Sequence, residues 1–417
     1  MAEPQRNPVV RSALTHVGGA VTTRGDATHA AALGEAMQAA ENSPPDVATH
    51  GMHAYPARMH AAIATHVIER LTQPGARVVD PFCGSGTVLV EAMTLGRRSA
   101  GVDLNPLAIR IAEVKTTRVD AARRERLAVT IEGLGERSEE RVRTRVHTQA
   151  PLTPEDAKWY EGHTLKELAG LHQEIATLDN EEDRRLLEML FSAIVVKFSI
   201  QRAETTERVA ERRIRKGLPT EFFVRRGMEW LDRWAELERQ IDERNAPEIF
   251  APRLVQGDAR KLRDHVGPAP VDLVLSSPPY GGTYDYVHHH VRRYPWLGID
   301  PTQMERNELG ARRDLSQSRM RGQDPADLWD AQVVAMLKGM RKVVRPGSHI
   351  VLLVGDGQLG DERVAADRQL EGLAPRARLE VVAVASQQRP DWTGNGTRRE
   401  HLVQLAVSRG DADDSDD

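Results

Sequence analysis

The chain has 417 residues, a formal net charge of −4, 40% hydrophobic residues and 28% charged residues. This is the balance of a water-soluble globular protein, with room for one large domain carrying an insertion or for two domains. Cys83 is the only cysteine, which excludes an internal disulfide and a cysteine-built zinc site, and the absence of a membrane-length apolar run or a signal-peptide pattern predicts a cytoplasmic protein.

The amino-terminal part of the chain divides into a polar segment and the start of an α/β pattern. Residues 1–45 are polar, rich in alanine and interrupted by Gly and Pro, so we expect a flexible tail with one short helix at 28–42. Residues 59–71 then space their apolar side chains at helical intervals. Two strand-like runs, "ARVVDPF" and "RSAGVDLN", flank the helical "VLVEAMTLG". Strand, helix and strand in close succession predict a parallel α/β sheet.

The middle of the chain carries a different pattern. Residues 119–250 hold little strand signal and many Glu, Arg and Leu residues at helical spacing, which predicts a helical insertion. Strand-like runs resume with "RLVQGDA", "VDLVLSSPPY", "SHIVLLVGD", "LEVVAVAS" and "HLVQLAVS". We therefore predict one α/β core in two parts, residues 46–118 and 251–409, with an acidic tail at 410–417.

A glycine-containing turn follows the first predicted strand of the core. In "VVDPFCGSGTVLVEA", Gly84 and Gly86 stand between strand and helix; glycine permits a sharp turn and close approach of a ligand, and the helix start offers unpaired N–H groups. The next strand ends in Asp103, 17 residues after Gly86. In doubly wound folds an acid at this place hydrogen-bonds the ribose of a nucleoside cofactor. A tight turn with an unrelated helix-capping acid would carry the same residues.

The turn does not suit a phosphate group. It lacks the Lys-Ser/Thr pair of a nucleotide-binding P-loop and the third glycine of the dinucleotide fingerprint. It also begins with Asp80, whose negative charge disfavours a pyrophosphate. A cofactor with an ammonium and a ribose but no phosphate fits better, and S-adenosylmethionine has these groups.

The run 271–275 is apolar and β-branched and is followed by Ser-Ser-Pro-Pro-Tyr. Because Pro278 and Pro279 have no N–H to donate, the predicted strand must end there in a stiff, extended segment. Four of the six tyrosines of the chain lie between residues 280 and 294: Tyr280, Tyr284, Tyr286 and Tyr294. The residues alone leave two interpretations open, a stacking surface for a flat ligand and local packing.

The motifs "DPFCGSGT" and "SSPPY" together resemble those of the amino-methyltransferases, which methylate exocyclic nitrogens of DNA bases with S-adenosylmethionine. "MHAYPARM" at 52–59, "GVDLNPLAIRIAEVK" and "QGDAR" at 256–260 resemble further segments of that family. The resemblance covers about 46–118 and 250–408 and leaves the 119–250 insertion outside it. It implies a doubly wound, mostly parallel, seven-stranded Rossmann-like sheet with helices on both faces and one antiparallel edge strand.

The resemblance also implies a set of site residues. It places the ribose at Asp103, the adenine amine at the acid of "QGDAR", and the methionine end beside the 52–59 segment. The implied cofactor-binding residues are Tyr55, Asp80, Pro81, Phe82, Cys83, Gly84, Ser85, Gly86, Thr87, Asp103, Leu104, Asn105, Asp258 and Ala259. The implied catalytic residues are Ser277, Pro278, Pro279 and Tyr280.

These residues suit methyl transfer to an exocyclic amine. The amine is a poor nucleophile because its lone pair is delocalised into the ring, and two acceptors such as the Ser277 hydroxyl and the Pro278 carbonyl would improve it. A base in a duplex must be flipped out to be reached, and Tyr280 is the expected stacking surface. No metal site is predicted, since the consecutive histidines 288–290 point in different directions on a helix and are expected to form a solvated face.

Two basic segments are candidates for contact with phosphates. On the helix predicted for "RVAERRIRKG", Arg208, Arg212 and Arg215 would share one face. The candidate phosphate-contacting residues of this segment are Arg208, Arg212, Arg213, Arg215 and Lys216. The polar, basic stretch 307–324 is expected to be a loop that becomes ordered on DNA. Phosphate contact and a solvated face remain alternatives for the helix.

The sequence thus predicts a DNA amino-methyltransferase acting on double-stranded DNA. In the resembling family, serine before Pro-Pro-Tyr favours N4 of cytosine as the methylated atom, and N6 of adenine is the first alternative. A tRNA guanine-N2 methyltransferase and a non-catalytic nucleic-acid-binding relative are the others. Nothing in the sequence indicates a membrane partner, and a cognate restriction or defence partner has no signature in it.

Overall fold

A computed structural model describes most of the chain. The described residues are 19–203, 206–209, 213–281, 286–311, 315, 317, 322–359, 362–390 and 397–408. The acidic tail 410–417, Arg212, Tyr284 and much of the 307–324 stretch lie outside them. No helix among the described residues is long and apolar enough to cross a membrane.

Helices and strands alternate along the core and give way to helices in the middle of the chain. The strands are β1 (Thr22–Gly25), β2 (Arg77–Asp80), β3 (Arg98–Asp103), β4 (Gln201–Ala203), β5 (Thr206–Val209), β6 (Arg253–Gln256), β7 (Val271–Ser276), β8 (Val344–Gly355), β9 (Gly357–Leu359), β10 (Glu362–Val364), β11 (Leu379–Pro390) and β12 (Thr397–Val407). The helices are α1 (Ala27–Glu41), α2 (Ala61–Leu71), α3 (Thr87–Thr94), α4 (Pro106–Thr116), α5 (Ala121–Thr144), α6 (Pro154–Ala157), α7 (Gly162–Ala176), α8 (Glu181–Val195), α9 (Leu218–Arg244), α10 (Leu262–Val266), α11 (Tyr286–His290), α12 (Thr302–Asn307), α13 (Pro325–Arg341) and α14 (Ala366–Leu373).

The central sheet has eight strands in the order β1-β11-β12-β8-β7-β2-β3-β6. The five strands from β8 to β6 are parallel, whereas β12 is antiparallel to both of its neighbours and β1 is antiparallel to β11. From β2 the chain runs outward through β3 and β6, then returns to place β7 on the other side of β2. Such a reversal of strand order creates a crevice at the carboxyl ends of the two strands, where ligands bind. The predicted doubly wound, mostly parallel fold class is confirmed.

Alternating side chains of the sheet build two apolar layers. Val78 and Leu273 face one layer, with α1, α2 and α3, and Val79 and Val274 face the other, with α10, α13 and α14. All four side chains are fully buried. Burial on both faces is the reason why these strands are continuous apolar runs in the sequence.

The short helix predicted at 28–42 is present as α1 (Ala27–Glu41), but the expectation of a flexible tail up to residue 45 is wrong from residue 19 onward. Strand β1 pairs with β11 in the register Thr22↔Ser386, and helix α1 buries Leu33 and Met37 against the sheet. This edge strand raises the strand count to eight from the expected seven. A four-residue polar strand carries too little periodic signal to be recognised before its partner is known.

The 119–250 segment is mainly helical, as predicted, but it also contains the antiparallel pair β4 and β5. Arg208 therefore lies in a strand, and residues 213–215 have no regular structure, so the predicted shared helix face of Arg208, Arg212 and Arg215 is wrong. Helices α5, α7, α8 and α9 form one apolar cluster with residues that follow the Ser-Pro-Pro-Tyr turn, including Trp296. The insertion thus packs on the core directly beside that turn.

Candidate active site

The two sequence motifs lie in the crevice at the carboxyl ends of β2 and β7, where the strand order reverses. The turn after β2 and the turn after β7 line one pocket of about 830 Å³. Its lining residues are Tyr55, Pro56, Ala57, Arg58, Met59, Asp80, Pro81, Phe82, Cys83, Gly84, Ser85, Thr87, Val88, Asp103, Leu104, Gly257, Asp258, Ala259, Ser277, Pro279, Tyr286, Met304, Glu308 and Leu309. Residues nearly 200 positions apart therefore meet because parallel strands end at the same edge of the sheet.

Asp80, at the end of β2, holds the first turn through hydrogen bonds. Its Oδ1 accepts hydrogen bonds from Ser276 Oγ at 2.6 Å and from the Phe82 N–H at 3.1 Å. The first of these bonds ties the end of β2 to the end of β7. Burial raises the pKa of the Asp80 carboxyl to about 7, against the lowering effect of the two hydrogen bonds. Asp80 therefore acts as a structural link between the two motif turns.

The pKa of Asp80 leads to a prediction for Asp80→Asn. Because the pKa is raised from 3.8 to about 7, the folded state binds more protons than the unfolded state in this window, and stability falls as the pH rises through it. The amide removes this loss and keeps an acceptor. We expect the cofactor-free variant to gain more than about 1.4 kcal/mol on the parent between pH 5 and pH 8. Urea unfolding at both pH values measures this, and a pH-independent difference would contradict the titration of Asp80.

Asp103 holds the tips of two turns at the end of β3. Its Oδ2 accepts from the Gly84 N–H at 2.9 Å, and its Oδ1 accepts from the Asn105 N–H at 2.8 Å. The surrounding protein raises the pKa of this carboxyl to about 6, against the lowering effect of the two bonds. The carboxylate retains accepting capacity toward the pocket, since each oxygen has two lone pairs.

The glycines of the first turn are required by geometry. Gly84 has φ +48°, and a Cβ on it would lie 2.9 Å from the ring of Tyr55. Gly86 has φ +82°, and its Cβ would lie 2.9 Å from that of Ala112 on α4. Gly84 thus lets the Tyr55 ring lie against the turn, and Gly86 lets the start of α3 pack against α4.

Ser277 presents an unsatisfied hydroxyl at the second turn. Its Oγ is buried and has no hydrogen-bond partner in the described part of the chain, although the residue lines the pocket. The neighbouring Ser276 is different, because its hydroxyl is used by Asp80. A buried hydroxyl without a partner is costly, so its presence at the pocket indicates a ligand that supplies the missing bond.

Tyr280 does not line the pocket. It is 5% exposed and belongs to the apolar layer that includes Val274 and Trp329. Its ring occupies the space left by Gly355, whose Cβ would lie 2.8 Å from Tyr280 Cε2. In this structure the local-packing interpretation describes Tyr280, and the expected stacking role would need the ring to turn toward the pocket.

An aromatic wall forms another side of the pocket; Tyr55 in it is a predicted site residue, whereas His290 was not predicted. Tyr55 stacks on His290 with ring centroids 5.1 Å apart, and His290 is fully buried. The expectation that all three histidines 288–290 form a solvated face is therefore wrong for His290. Tyr286 lines the pocket, and Tyr294 is buried beside His290. Only the helical spacing from 286 to 294 hinted at this arrangement.

Segment 302–311 supplies a further wall with a fourth carboxylate, besides those of Asp80, Asp103 and Asp258. Glu308, Met304 and Leu309 line the pocket, and Glu308 Oε1 accepts from the Tyr286 N–H at 2.6 Å. No sequence motif marks Glu308. It reaches the site only because helices α11 and α12 fold back over the carboxyl ends of the strands.

The remaining predicted residues fall into three groups: some line the pocket, some lie on the surface, and Gly86, Asn105 and Pro278 are buried and do not line the pocket. Asp258 and Ala259 line the pocket, but the Asp258 carboxylate is paired with Arg260 at 2.6 Å, which lowers its pKa against the effect of burial. The basic residues 213, 215 and 216 do not line it, and Arg215 forms an exposed ion pair with Glu221.

The region of the first motif is similar in sequence to known DNA methyltransferases. A family model described as "DNA methylase" matches residues 34–114. Type II methyltransferase M.MjaII of Methanocaldococcus jannaschii is 38% identical over 71 residues, which are 17% of this chain and 13% of that protein. Type II methyltransferase M.MvaI of Kocuria varians is 37% identical over 87 residues, which are 20% of this chain and 19% of that protein. The chain thus spans less than a fifth of the length of these relatives.

Solved structures resemble the chain only distantly. TrmN from Thermus thermophilus has a TM-score of 0.32 and 12% identity over 84% of this chain and 49% of its own. The rRNA methyltransferase aviRa from Streptomyces viridochromogenes has a TM-score of 0.33 and 14% identity over 85% of this chain and 88% of its own. Likeness at this level adds nothing to the strand order described above.

Proposed function

Because the chain belongs to the DNA amino-methyltransferase family through its first motif region, we propose that it methylates an exocyclic amino group of a flipped base in DNA with S-adenosylmethionine. The observation that carries the proposal is the convergence of the Asp103-anchored turn and the unsatisfied Ser277 hydroxyl on one pocket. One turn suits a nucleoside cofactor, and the other suits a target amine.

The residues at the first turn fit S-adenosylmethionine, which supplies an electrophilic methyl group when it is bound. Asp103 offers acceptors for the ribose hydroxyls. Ser85 Oγ and Thr87 Oγ1 are buried without hydrogen-bond partners in the described chain, at the amino-terminal end of α3. Two free hydroxyls and a helix N-terminus suit a carboxylate such as that of the methionine moiety. Asp258, whose two carboxylate oxygens both accept hydrogen bonds from Arg260, remains a candidate for the adenine amine through its further lone pairs.

At the second turn, the chain would orient the target amine. Ser277 Oγ accepts one N–H of the amine, and the carbonyl of Pro278 is the proposed second acceptor. Two acceptors draw the nitrogen toward tetrahedral geometry and expose its lone pair. The prolines hold this segment stiff before the substrate arrives, so little entropy is lost on binding. Most of the catalysis is then placement of two bound reactants in line.

We favour N4 of cytosine in double-stranded DNA as the target, because serine precedes Pro-Pro-Tyr. The alternatives are N6 of adenine and, in RNA, N2 of a tRNA guanine. We further propose that the two core parts form one catalytic unit carrying the 119–250 insertion, and that the basic residues 208–216 contact phosphates. A cognate restriction partner is a further possibility suggested by the type of the relatives.

The proposed function is tested with tritiated S-adenosylmethionine and three acceptors: duplex DNA, its separated strands and tRNA. Digestion to nucleosides then identifies the product. N4-methylcytosine in duplex DNA supports the proposal, N6-methyladenine selects the first alternative, and label in tRNA guanine selects the second. Absence of label in all three, for a protein that binds the cofactor, would overturn the proposal.

A prediction for Ser277→Ala follows from the unsatisfied hydroxyl. We expect methyl transfer in a single turnover to slow by about 10- to 100-fold, since a bond to the developing charge contributes roughly 1.5–3 kcal/mol. Cofactor affinity stays unchanged, and stability stays equal or rises because an unpaired buried hydroxyl is removed. Ser138→Ala is the matched control, since Ser138 Oγ is bonded to Thr220 Oγ1 at 2.8 Å: it should lower stability and leave the rate unchanged. A full rate for Ser277→Ala would refute the role of Ser277.

A further inference from the structure

Four polar side chains share one face of the β11–β12 hairpin, near the end where residues 391–396 connect the two strands. Gln387 is the Cα partner of Glu400, and Arg389 is the Cα partner of Arg398. Opposed residues and residues two apart along a strand lie on the same face of a sheet. We call these four residues the hairpin cluster. Their exposed fractions are 0%, 1%, 7% and 1% for Gln387, Arg389, Arg398 and Glu400.

The guanidinium groups of the hairpin cluster make few hydrogen bonds, and two acceptors of the cluster, Gln387 Oε1 and Glu400 Oε2, are also buried without a hydrogen bond among the described residues. Arg389 makes no hydrogen bond through Nε, Nη1 or Nη2 in the described part of the chain, although its Nε lies 3.4 Å from Glu400 Oε2. Arg398 bonds Glu400 Oε1 through Nη2 at 3.1 Å, while its Nε and Nη1 have no partner. Arginine is almost never buried without partners.

The charges of the hairpin cluster do not balance. Two guanidinium groups share one carboxylate, Glu400, and arginine remains protonated in proteins. Glu41 lies nearby, but it is exposed and accepts its hydrogen bond from Gln387 Nε2. Among the described residues, the cluster thus buries two positive charges beside one negative charge, with the exposed Glu41 as a further counter-charge near Arg389. A buried charge that is not fully compensated is unfavourable. An anion bound here would supply both the missing charge and the missing acceptors.

The hairpin cluster adjoins the Ser-Pro-Pro-Tyr turn. Glu400 is the Cα partner of Gly355 on β8, and Gly355 leaves the space that the Tyr280 ring fills. The Arg398 guanidinium lies 5.8 Å from the centre of that ring. Only β8 therefore separates the strand of Arg398 from β7 and the turn that is proposed to hold the target base, and Arg389 lies one strand further away, on β11.

We propose that Arg389 and Arg398 form a phosphate-binding site that takes a backbone phosphate of the nucleotide whose base enters the pocket. Arginine pairs bind phosphate through charge-assisted, bidentate hydrogen bonds. A hydrogen bond to a base edge would supply acceptors but no negative charge, so the charge imbalance favours phosphate. The identification of this phosphate with that of the target nucleotide rests on the proposed function, whereas the anion site does not.

The anion site is tested first with inorganic phosphate, by thermal unfolding at fixed pH and matched ionic strength in chloride. We expect the melting temperature of the parent to rise by about 1–2 °C at a phosphate concentration roughly tenfold above Kd. Arg389→Met and Arg398→Met should lose this increment. Arg399→Met is the matched control, because Arg399 is exposed on the opposite face of the same strand. An equal increment in all four proteins would show only the general salt effect and would overturn the site.

A variant that is expected to bind phosphate more tightly than the parent separates loss of the site from loss of folding. In Glu400→Gln the carboxylate that competes for both guanidinium groups becomes neutral and keeps its shape. We expect phosphate to bind at least about tenfold more tightly, because an anion then meets two uncompensated positive charges. Unchanged or weaker binding by a folded Glu400→Gln protein would contradict the proposal independently of the arginine variants.

The nucleic-acid part is tested with a duplex that the parent protein methylates. The magnitude of the slope of log K against log salt should fall by about 0.9 when Arg389→Met and Arg398→Met together remove the one phosphate contact, and it should stay constant for Arg399→Met. Weaker binding with an unchanged slope would indicate contact with a base edge and would overturn the phosphate assignment. If the parent methylates no nucleic acid, the proposed function fails, while the phosphate-dependent melting temperature still decides whether the anion site exists.

Discussion

Asp103→Ala is expected to weaken the binding of S-adenosylmethionine by about 100-fold or more, because the two charge-assisted bonds that we propose between its carboxylate and the ribose would be lost at roughly 1.5–3 kcal/mol each. The variant also loses the bonds that hold the Gly84 and Asn105 N–H groups at 2.9 and 2.8 Å. Isothermal titration calorimetry on the purified parent and variant measures the change in Kd.

Asp103→Asn separates the two losses. The amide oxygen still accepts one of the backbone bonds, while the negative charge is gone. We expect an intermediate Kd for this variant and a free energy of unfolding close to that of the parent. An affinity equal to that of the parent in both variants would refute the ribose assignment. A loss of affinity that tracks a loss of stability would reduce Asp103 to a support for the turn.

Trp296→Ala is expected to lower the free energy of unfolding by about 3–5 kcal/mol, the usual cost of removing a buried tryptophan. Trp296 is 2% exposed and lies among three rings of the insertion, with centroids 5.3 Å away at Phe191 and 5.8 Å away at Tyr160 and His172. The variant would also leave the Tyr160 hydroxyl without the Trp296 Nε1–H, which it accepts at 3.1 Å. Urea unfolding followed by circular dichroism measures the effect.

The same variant decides how the insertion is coupled to the core. If residues after the Ser-Pro-Pro-Tyr turn and the insertion fold as one unit, Trp296→Ala shifts a single transition. Trp159→Ala, at a partly buried ring in the insertion that contacts Arg292, is the control and should cost less. A change below about 1 kcal/mol for Trp296→Ala would show that the surrounding rings are loosely packed.

The first turn and the end of β7 follow from local sequence. The glycine pair, the acid at the next strand end and two prolines after an apolar run each impose a backbone conformation within a few residues. Local sequence therefore predicts the two turns, a parallel α/β sheet and a role for Asp103, and the family resemblance implies the further pocket residues from Asp80 to Gly84 and Ser277. These features need no knowledge of distant contacts beyond the rule that parallel strands end at one edge.

Other features have no local signature and were misjudged. Strand β1 is too short to be recognised without β11, and the basic segment at 208 forms part of a strand pair because its partner lies at 201–203. His290 resembles its two neighbours in sequence, yet only it faces Tyr55. In each case the conformation is set by a partner that is distant or on another element, so tertiary contacts override local propensity.

The sequence by itself determined the fold class, the two motif turns and the chemistry they suit, because those depend on backbone constraints and side-chain types at short spacing. Tertiary structure alone decided that Ser277 is the unsatisfied hydroxyl while Ser276 serves Asp80. It also placed Glu308 at the pocket, buried Tyr280 over Gly355 and gathered two arginines around one carboxylate. The physical reason is that burial, hydrogen-bond satisfaction and charge balance are properties of the space around a side chain, which residues from the whole chain create together.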